Sequence, residues 1–269
     1  MDVSRQPGQV KRAAIALADR CGTFAFVSST NVYADSSEPK QDESARLLPA
    51  LESDVMESMA FYGPAKVACE KHVLNLLGAD RVLIARAGLI GGPGDEFDRT
   101  GYWPLRFARA VASKREVLLP DTPKLCTQII DVRDLAQWIT QSACRGMAGV
   151  FNVTGETIPF EEHIAIIRRM TGHQGSVVTA SPEWLLSQGV THWMGPKSLP
   201  LWLPTDTHAG FNARDSSRAV AAGLIRRPLQ ETLRDVLAWE LARSPLPEAR
   251  RAGLSDVQEA DLLLVLRRE

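Results

Sequence analysis

Phe24-Ala25-Phe26-Val27-Ser28-Ser29-Thr30-Asn31-Val32-Tyr33 holds a short continuous apolar run that ends in two serines. Bounded by Gly22 and by hydroxyl residues, such a run suits a strand buried on both faces of a parallel sheet. Further on, Phe61-Tyr62-Gly63-Pro64-Ala65-Lys66 opens a stretch of helical periodicity that closes at Leu77-Gly78. Glycine commonly follows a helix C-terminus, so the pattern predicts a helix over Pro64 to Leu77. Arg81-Val82-Leu83-Ile84-Ala85 is a second buried run. Strand, helix and strand in this order predict a right-handed crossover unit. The expected fold class is therefore α/β, with a Rossmann-type parallel sheet.

Tyr62 and Lys66, four positions apart, share one face of that helix. A free phenol has a pKa of about 10 and is a poor base at neutral pH. An ammonium one turn away favours the phenolate, which makes tyrosine a general acid or base for interconverting a carbinol and a carbonyl. A serine at the end of the upstream strand can hold the same substrate oxygen. Upstream of Tyr62 there is no Gly-x-x-Gly-x-x-Gly or Gly-x-Gly-x-x-Gly turn.

Val10, Ala13, Ala14, Leu17 and Ala18 recur at helical spacing over residues 6 to 20, with Pro7 suited to the first turn. Residues 35 to 60 are polar and irregular. After the second strand comes the glycine-rich Gly88-Leu89-Ile90-Gly91-Gly92-Pro93-Gly94, read as a plain turn. The later pattern predicts a strand at Thr127 to Ile130, a helix at Val132 to Cys144 with Asp134 at its N-terminus, and a strand at Val150 to Val153. A helix at Phe160 to Met170, a strand at Val177 to Thr179 and a helix at Pro182 to Leu186 follow. Residues 189 to 212 read as an ordered loop or lid, in which Trp193 and Trp202 either line a substrate pocket or pack the proline-rich segment. Leu229 to Leu241 is an amphipathic helix, Pro245 and Pro247 break the chain, and Val257 to Leu266 is the last helix.

With 269 residues the chain can bury a sizeable core in one large domain or two coupled ones. A net charge of −1, with basic residues in scattered pairs such as Arg168-Arg169 and Arg226-Arg227, argues against nucleic acid. Cys21, Cys69, Cys126 and Cys144 are far apart and read as buried free thiols of a reducing compartment. No histidine pair has ligand spacing, so no metal is expected. The N-terminus lacks a signal-peptide core and no apolar run reaches membrane-spanning length, which points to the cytoplasm.

Val27-Ser28-Ser29-Thr30-Asn31-Val32-Tyr33 resembles the Ser-Ser-x-x-Val-Tyr strand end of the extended short-chain dehydrogenase/reductase family, the NAD-dependent epimerases/dehydratases. Tyr62 to Lys66 matches its Tyr-x-x-x-Lys. Arg86 to Gly94 is similar to its Arg-Pro-x-x-x-x-Gly-Pro-Gly turn, with Ala87 for proline. Ile130-Asp131-Val132-Arg133-Asp134-Leu135-Ala136 and Val150-Phe151-Asn152-Val153 resemble two further segments. The resemblance implies Ser29, Tyr62 and Lys66 as catalytic residues. It implies NAD or NADP as cofactor, held by Ser28, Tyr62, Lys66, Ala87, Gly88 and Leu89. Substrate contacts would come from Asp98, Arg99, Tyr102, Trp103 and Arg214. Residues 1–92 and 126–158 would form the Rossmann-type domain, and 93–125 and 159–269 a lobe closing over a small-molecule substrate. Family members often pair as homodimers through the tyrosine-bearing helix.

The chain departs from the family at its start. Crossover units take about 30 residues each, so about 90 residues of a dinucleotide-binding half, with the phosphate-binding turn, are expected ahead of Met1-Asp2-Val3 and are not in this sequence. That turn supplies several hydrogen bonds of about 1.5 to 3 kcal/mol each. Cofactor binding is expected to weaken, and the strand Phe24 to Val27 to lose a neighbour and expose an edge. The alternatives to an enzyme are a non-catalytic remnant that binds a ligand or partner, or a longer active protein whose start lies upstream of Met1.

Overall fold

The computed structural model describes residues 1–113, 115–243 and 250–268, so Pro245 and Pro247 lie outside the described residues. In chain order the elements are α1 (Pro7–Leu17), β1 (Phe24–Ser29), α2 (Tyr62–Leu77), β2 (Val82–Ala87) and β3 (Leu89–Gly91). Next come α3 (Tyr102–Ser113), β4 (Val117–Pro120), β5 (Cys126–Asp131), α4 (Val132–Cys144), β6 (Gly149–Val153), β7 (Thr157–Pro159) and α5 (Phe160–Thr171). The rest are β8 (Val177–Ala180), α6 (Pro182–Ser187), β9 (Thr191–His192), β10 (Ser198–Leu199), α7 (Thr205–His208), α8 (Ser217–Ala221), α9 (Leu229–Ala242) and α10 (Asp256–Leu266). They form two compact units: residues 1–90, 128–156 and 210–226, and residues 91–127, 157–209 and 227–269.

The first unit is built on a parallel sheet in the order β1-β2-β6. Successive side chains of a strand point to opposite faces. Phe24 and Phe26 therefore join Val82 and Ile84 under α1 and α2, packed on Val10, Ala14, Cys69 and Val73. Ala25, Leu83, Ala85, Phe151 and Val153 face the other way, onto Leu135, Trp138 and Ile139 of α4. Each large side chain buried here contributes about 1.5 to 3 kcal/mol relative to exposure. α2 starts at Tyr62, with Pro64 in its first turn where the missing amide hydrogen costs nothing, and stops at Gly78 with φ 83°. α4 starts where Asp131 accepts a hydrogen bond from the Arg133 amide at 2.8 Å. The cap is thus Asp131, while Asp134 lies in the first turn.

Three expectations change. The outer edge of β1 is partly paired: the Asp2 amide donates to the Ala25 carbonyl and the Val27 amide to that of Asp2, both at 2.9 Å. Residues 210–226 belong to the first unit, because Ala219 and Leu224 enter its core and Arg226 donates to the Thr154 carbonyl at 2.8 Å. Arg226 is therefore no solvated cation. All four cysteines are free, but only Cys69 is buried.

In the second unit β4 pairs in parallel with β8, and β9 with β10. The segment 95–125, for which periodicity predicted no element, supplies α3 and β4. Trp103 in the first turn of α3 is fully buried, donates to the Pro200 carbonyl at 2.7 Å and meets Phe160 edge-on at 5.7 Å. Arg106 of α3 pairs with Glu259 of α10, both buried. Among the described residues no helix is long and apolar enough to cross a membrane, and no cluster of metal-ligating side chains occurs.

Candidate active site

The carboxyl ends of β1 and β2 and the first turns of α2 surround a cavity of about 310 Å³ within the first unit. Ser28, Ser29, Tyr62, Lys66, Ala87 and Gly88 line it, so six of the predicted site residues share one surface, while Leu89 and Arg214 of the same unit do not line it. Ile90 lines the cavity where Leu89 was expected, as strand alternation dictates. Val132, Leu135 and Ile139 of α4 form an apolar wall that the sequence reading did not assign to the site.

Gly63 explains why Tyr62 stands so near the serines. A Cβ there would lie 2.4 Å from the Asn31 carbonyl oxygen and 2.6 Å from a Leu48 methyl. Only glycine lets the first turn of α2 approach the turn that follows Ser29. Ser29 itself caps that turn: its Oγ accepts from the Asn31 amide at 3.2 Å and donates to Asn31 Oδ1 at 2.9 Å. Ser28 is 3 % exposed and its Oγ has no hydrogen-bond partner. A buried hydroxyl without a partner costs free energy until a ligand supplies one.

Lys66 is 3 % exposed. Its ammonium donates to the carbonyls of Val27 at 2.7 Å, Ser4 at 2.8 Å and Val3 at 3.5 Å, and lies 4.7 Å from the centre of the Phe26 ring. Burial pushes its pKa down to about 8, against smaller opposing effects of Cys69, Asp2 and Glu70. Burial likewise pushes the neighbouring Cys69 thiol up to about 12.

Behind the cavity lies a buried polar network. Arg86 donates to both carboxylate oxygens of Glu70 at 3.0 and 2.8 Å, and to Tyr33 Oη at 3.1 Å. Tyr33 Oη donates to Asn152 Oδ1 at 2.6 Å. Glu70, Tyr33 and Asn152 were not singled out from the sequence as functional. Glu70 had one available signal, its place four residues after Lys66 on the same helical face.

The expected substrate contacts are not among the residues that line this cavity. Arg214 is 2 % exposed and committed to the Asp35 carbonyl at 2.7 Å, Ser36 Oγ at 3.1 Å and Gln41. Asp98 is buried and paired with Arg243 at 2.7 Å, and Tyr102 and Trp103 are buried in their own unit. Arg99 is half-buried, its guanidinium 5.0 Å from the Phe97 ring and 5.7 Å from that of Trp193.

A nicotinamide end fits the first unit's cavity on two observations: the partnerless Ser28 Oγ, and an apolar wall of Val132, Leu135 and Ile139 in a cavity that Ala87 and Gly88 also line. The solved structures that share the fold include these three. UDP-N-acetylglucosamine 4-epimerase from Bacillus cereus is 16% identical, with 89% of this chain and 72% of that one covered and a TM-score of 0.58. UDP-N-acetylglucosamine 4-epimerase from Methanobrevibacter ruminantium M1, in complex with UDP-N-acetylmuramic acid, is 19% identical over 87% and 67%, at 0.57. RMD from Pseudomonas aeruginosa, complexed with NADPH, is 20% identical over 82% and 67%, at 0.53. At such identities the likeness is one of fold. No curated protein matches the chain in sequence. The model of the NAD dependent epimerase/dehydratase family matches residues 8–153, more than half of the chain and all of the cavity's serine, tyrosine and lysine, and the protein belongs to that family.

Proposed function

We infer that the chain carries the acid–base end of an NAD- or NADP-dependent epimerase, dehydratase or reductase acting on a hydroxyl or carbonyl carbon of a sugar nucleotide or similar small molecule. The observation that carries this reading is the meeting of Ser29, Tyr62 and Lys66 at one cavity. Tyr62 exchanges a proton between its phenolic oxygen and the substrate hydroxyl. Lys66, held within one helical turn, favours the phenolate by its charge rather than by a hydrogen bond, since its three hydrogens face main-chain carbonyls. Ser29 Oγ orients the reacting oxygen, and Val132, Leu135 and Ile139 keep water from the reacting carbon. The nicotinamide, when bound, takes or gives the hydride. Ser28, Ala87 and Gly88 would hold its ring. Family membership and the NADPH bound by a structural neighbour support this reading over a non-catalytic one.

Calorimetric titration with NAD(H) and NADP(H) tests the cofactor assignment; binding tighter than about 100 µM, an affinity of about 5.5 kcal/mol, is expected. Tyr62→Phe should then lower hydride transfer by about 10²- to 10⁴-fold. Turnover that survives Tyr62→Phe unchanged would remove tyrosine from the chemistry.

A further inference from the structure

Arg86 is where the two arms of the site meet. On β2 it lies beside Ser28 in the strand register, one residue before Ala87, the partner of Ser29. One edge of its guanidinium, Nε and Nη2, grips both oxygens of Glu70. Glu70 sits on α2, one turn past Lys66 and two past Tyr62. The remaining nitrogen, Nη1, donates to Tyr33 Oη at 3.1 Å and to the Glu43 carbonyl at 3.2 Å. Tyr33 closes the short turn, Thr30–Val32, that Ser29 opens. The side chains of Arg86 and Glu70 are 5 % and 3 % exposed.

A planar fork gripping a carboxylate fixes angle as well as distance, which a single hydrogen bond does not. A buried ion pair adds little net stability over apolar side chains of the same volume, so stability alone is a weak reason for this one. Geometry is a better one. A displacement of about 1 Å among reacting groups can cost about 10²-fold in rate. We propose that the Glu70–Arg86 fork is a positioning device, Arg86 holding α2 with one edge and the turn after Ser29 with the other, so that the pair sets where Tyr62 and Lys66 stand against Ser29. The proposal rests on the site reading given above.

Arg86→Lys and Glu70→Asp test it because both conserve charge and change only reach and shape. The readout is the titration of the Lys66 side chain by NMR of 13Cε-labelled lysine, assigned with Lys66→Met. The groups acting on Lys66 are Cys69, Asp2, Glu70 and Arg5, and neither substitution alters the charge of any. If α2 backs away from β1, water reaches the ammonium, and its titration should move from about 8 toward 10.5 by roughly one unit or more in both variants. Glu259→Asp is the control, since it weakens the comparably buried Arg106–Glu259 pair of the other unit and should leave Lys66 unmoved. A Lys66 titration in both variants that coincides with the parent's overturns the proposal, as does an equal shift in Glu259→Asp. Failure of both variants to fold, with Glu259→Asp folded, would make the pair a stability element and overturn it too. The site reading fails separately, through unimpaired hydride transfer in Tyr62→Phe.

Discussion

Replacing Lys66 by methionine should flatten the dependence of stability on alkaline pH. The ammonium is buried under Val27, Ser4 and Val3, and burial lowers its pKa from 10.5 to about 8. The folded chain therefore releases this proton near pH 8, whereas the unfolded chain keeps it up to 10.5. Between these values the unfolded state binds more protons, so stability rises with pH there. Seen from the alkaline side, the contribution is present above 10.5 and lost as pH falls through about 8, below which the cost of burying the charge is carried in full. At about 1.4 kcal/mol per unit, the depression from 10.5 to about 8 is worth roughly 3.5 kcal/mol, part of which falls above pH 10. Tyr33 and Cys69, both raised by burial, oppose the trend at high pH, but they are common to parent and variant. Urea unfolding in half-unit steps from about pH 7 to about 10 measures the difference. The gap between parent and Lys66→Met should change by about 2 kcal/mol across that window, in favour of the parent as pH rises. Parallel curves would mean that the ammonium is solvated in the folded protein, and the carbonyl cage would be wrong.

Gly63→Ala should destabilise the fold by about 1 to 3 kcal/mol in urea, because the new methyl meets a backbone oxygen that cannot step aside. Ser28→Ala should leave the apo protein as stable or raise it by about 1 kcal/mol, since it deletes a buried hydroxyl with no partner, while weakening NAD(H) binding in calorimetry. Weaker stability together with unchanged cofactor affinity would place Ser28 in the core rather than the site. Arg214→Ala should lower the urea midpoint and leave the KM for substrate within about twofold, because its Nη1 and Nη2 donate to Asp35, Ser36 and Gln41.

The elements that periodicity marks well are those with one buried face or two. Phe24 to Val27, Val82 to Ala85 and Val150 to Val153 are short apolar runs between polar stops, and each is a strand of the first sheet. α4 and α9 show their apolar stripe at helical spacing and their predicted bounds agree with the structure to within a residue. α3 was missed although Trp103, Phe107 and Ala110 recur at helical spacing on its buried face, because Pro104 in its first turn reads in a sequence as a helix breaker. That Ser29, Tyr62 and Lys66 would share one cavity was legible because strand ends and helical turns fix their spacing. Arg214 was expected as a substrate contact because an arginine far along the chain gives no hint of what it folds back upon. Only the return of residues 210–226 to the first unit shows that it braces Asp35 and Ser36.

Tyr33 is where that bracing and the Glu70–Arg86 network join, and it permits a test that separates their parts. Two guanidiniums lie over its ring, Arg86 at 5.1 Å and Arg214 at 4.5 Å, and its hydroxyl links Arg86 to Asn152. Two cations near one ring are tolerable because Glu70 neutralises the first and carbonyl and amide oxygens solvate the second. Tyr33→Phe keeps the ring and removes the hydroxyl, leaving Asn152 Oδ1 and one Arg86 hydrogen without it; a loss of about 1 to 3 kcal/mol in urea is expected. Tyr33→Leu also removes the π face from two partly desolvated cations and should cost about 1 to 2 kcal/mol more. Because Arg86 in either variant still grips Glu70, Lys66 should titrate as in the parent in both. Equal stabilities of the two variants would show that the ring holds neither arginine, and the join between the 210–226 segment and the site would then rest on hydrogen bonds alone.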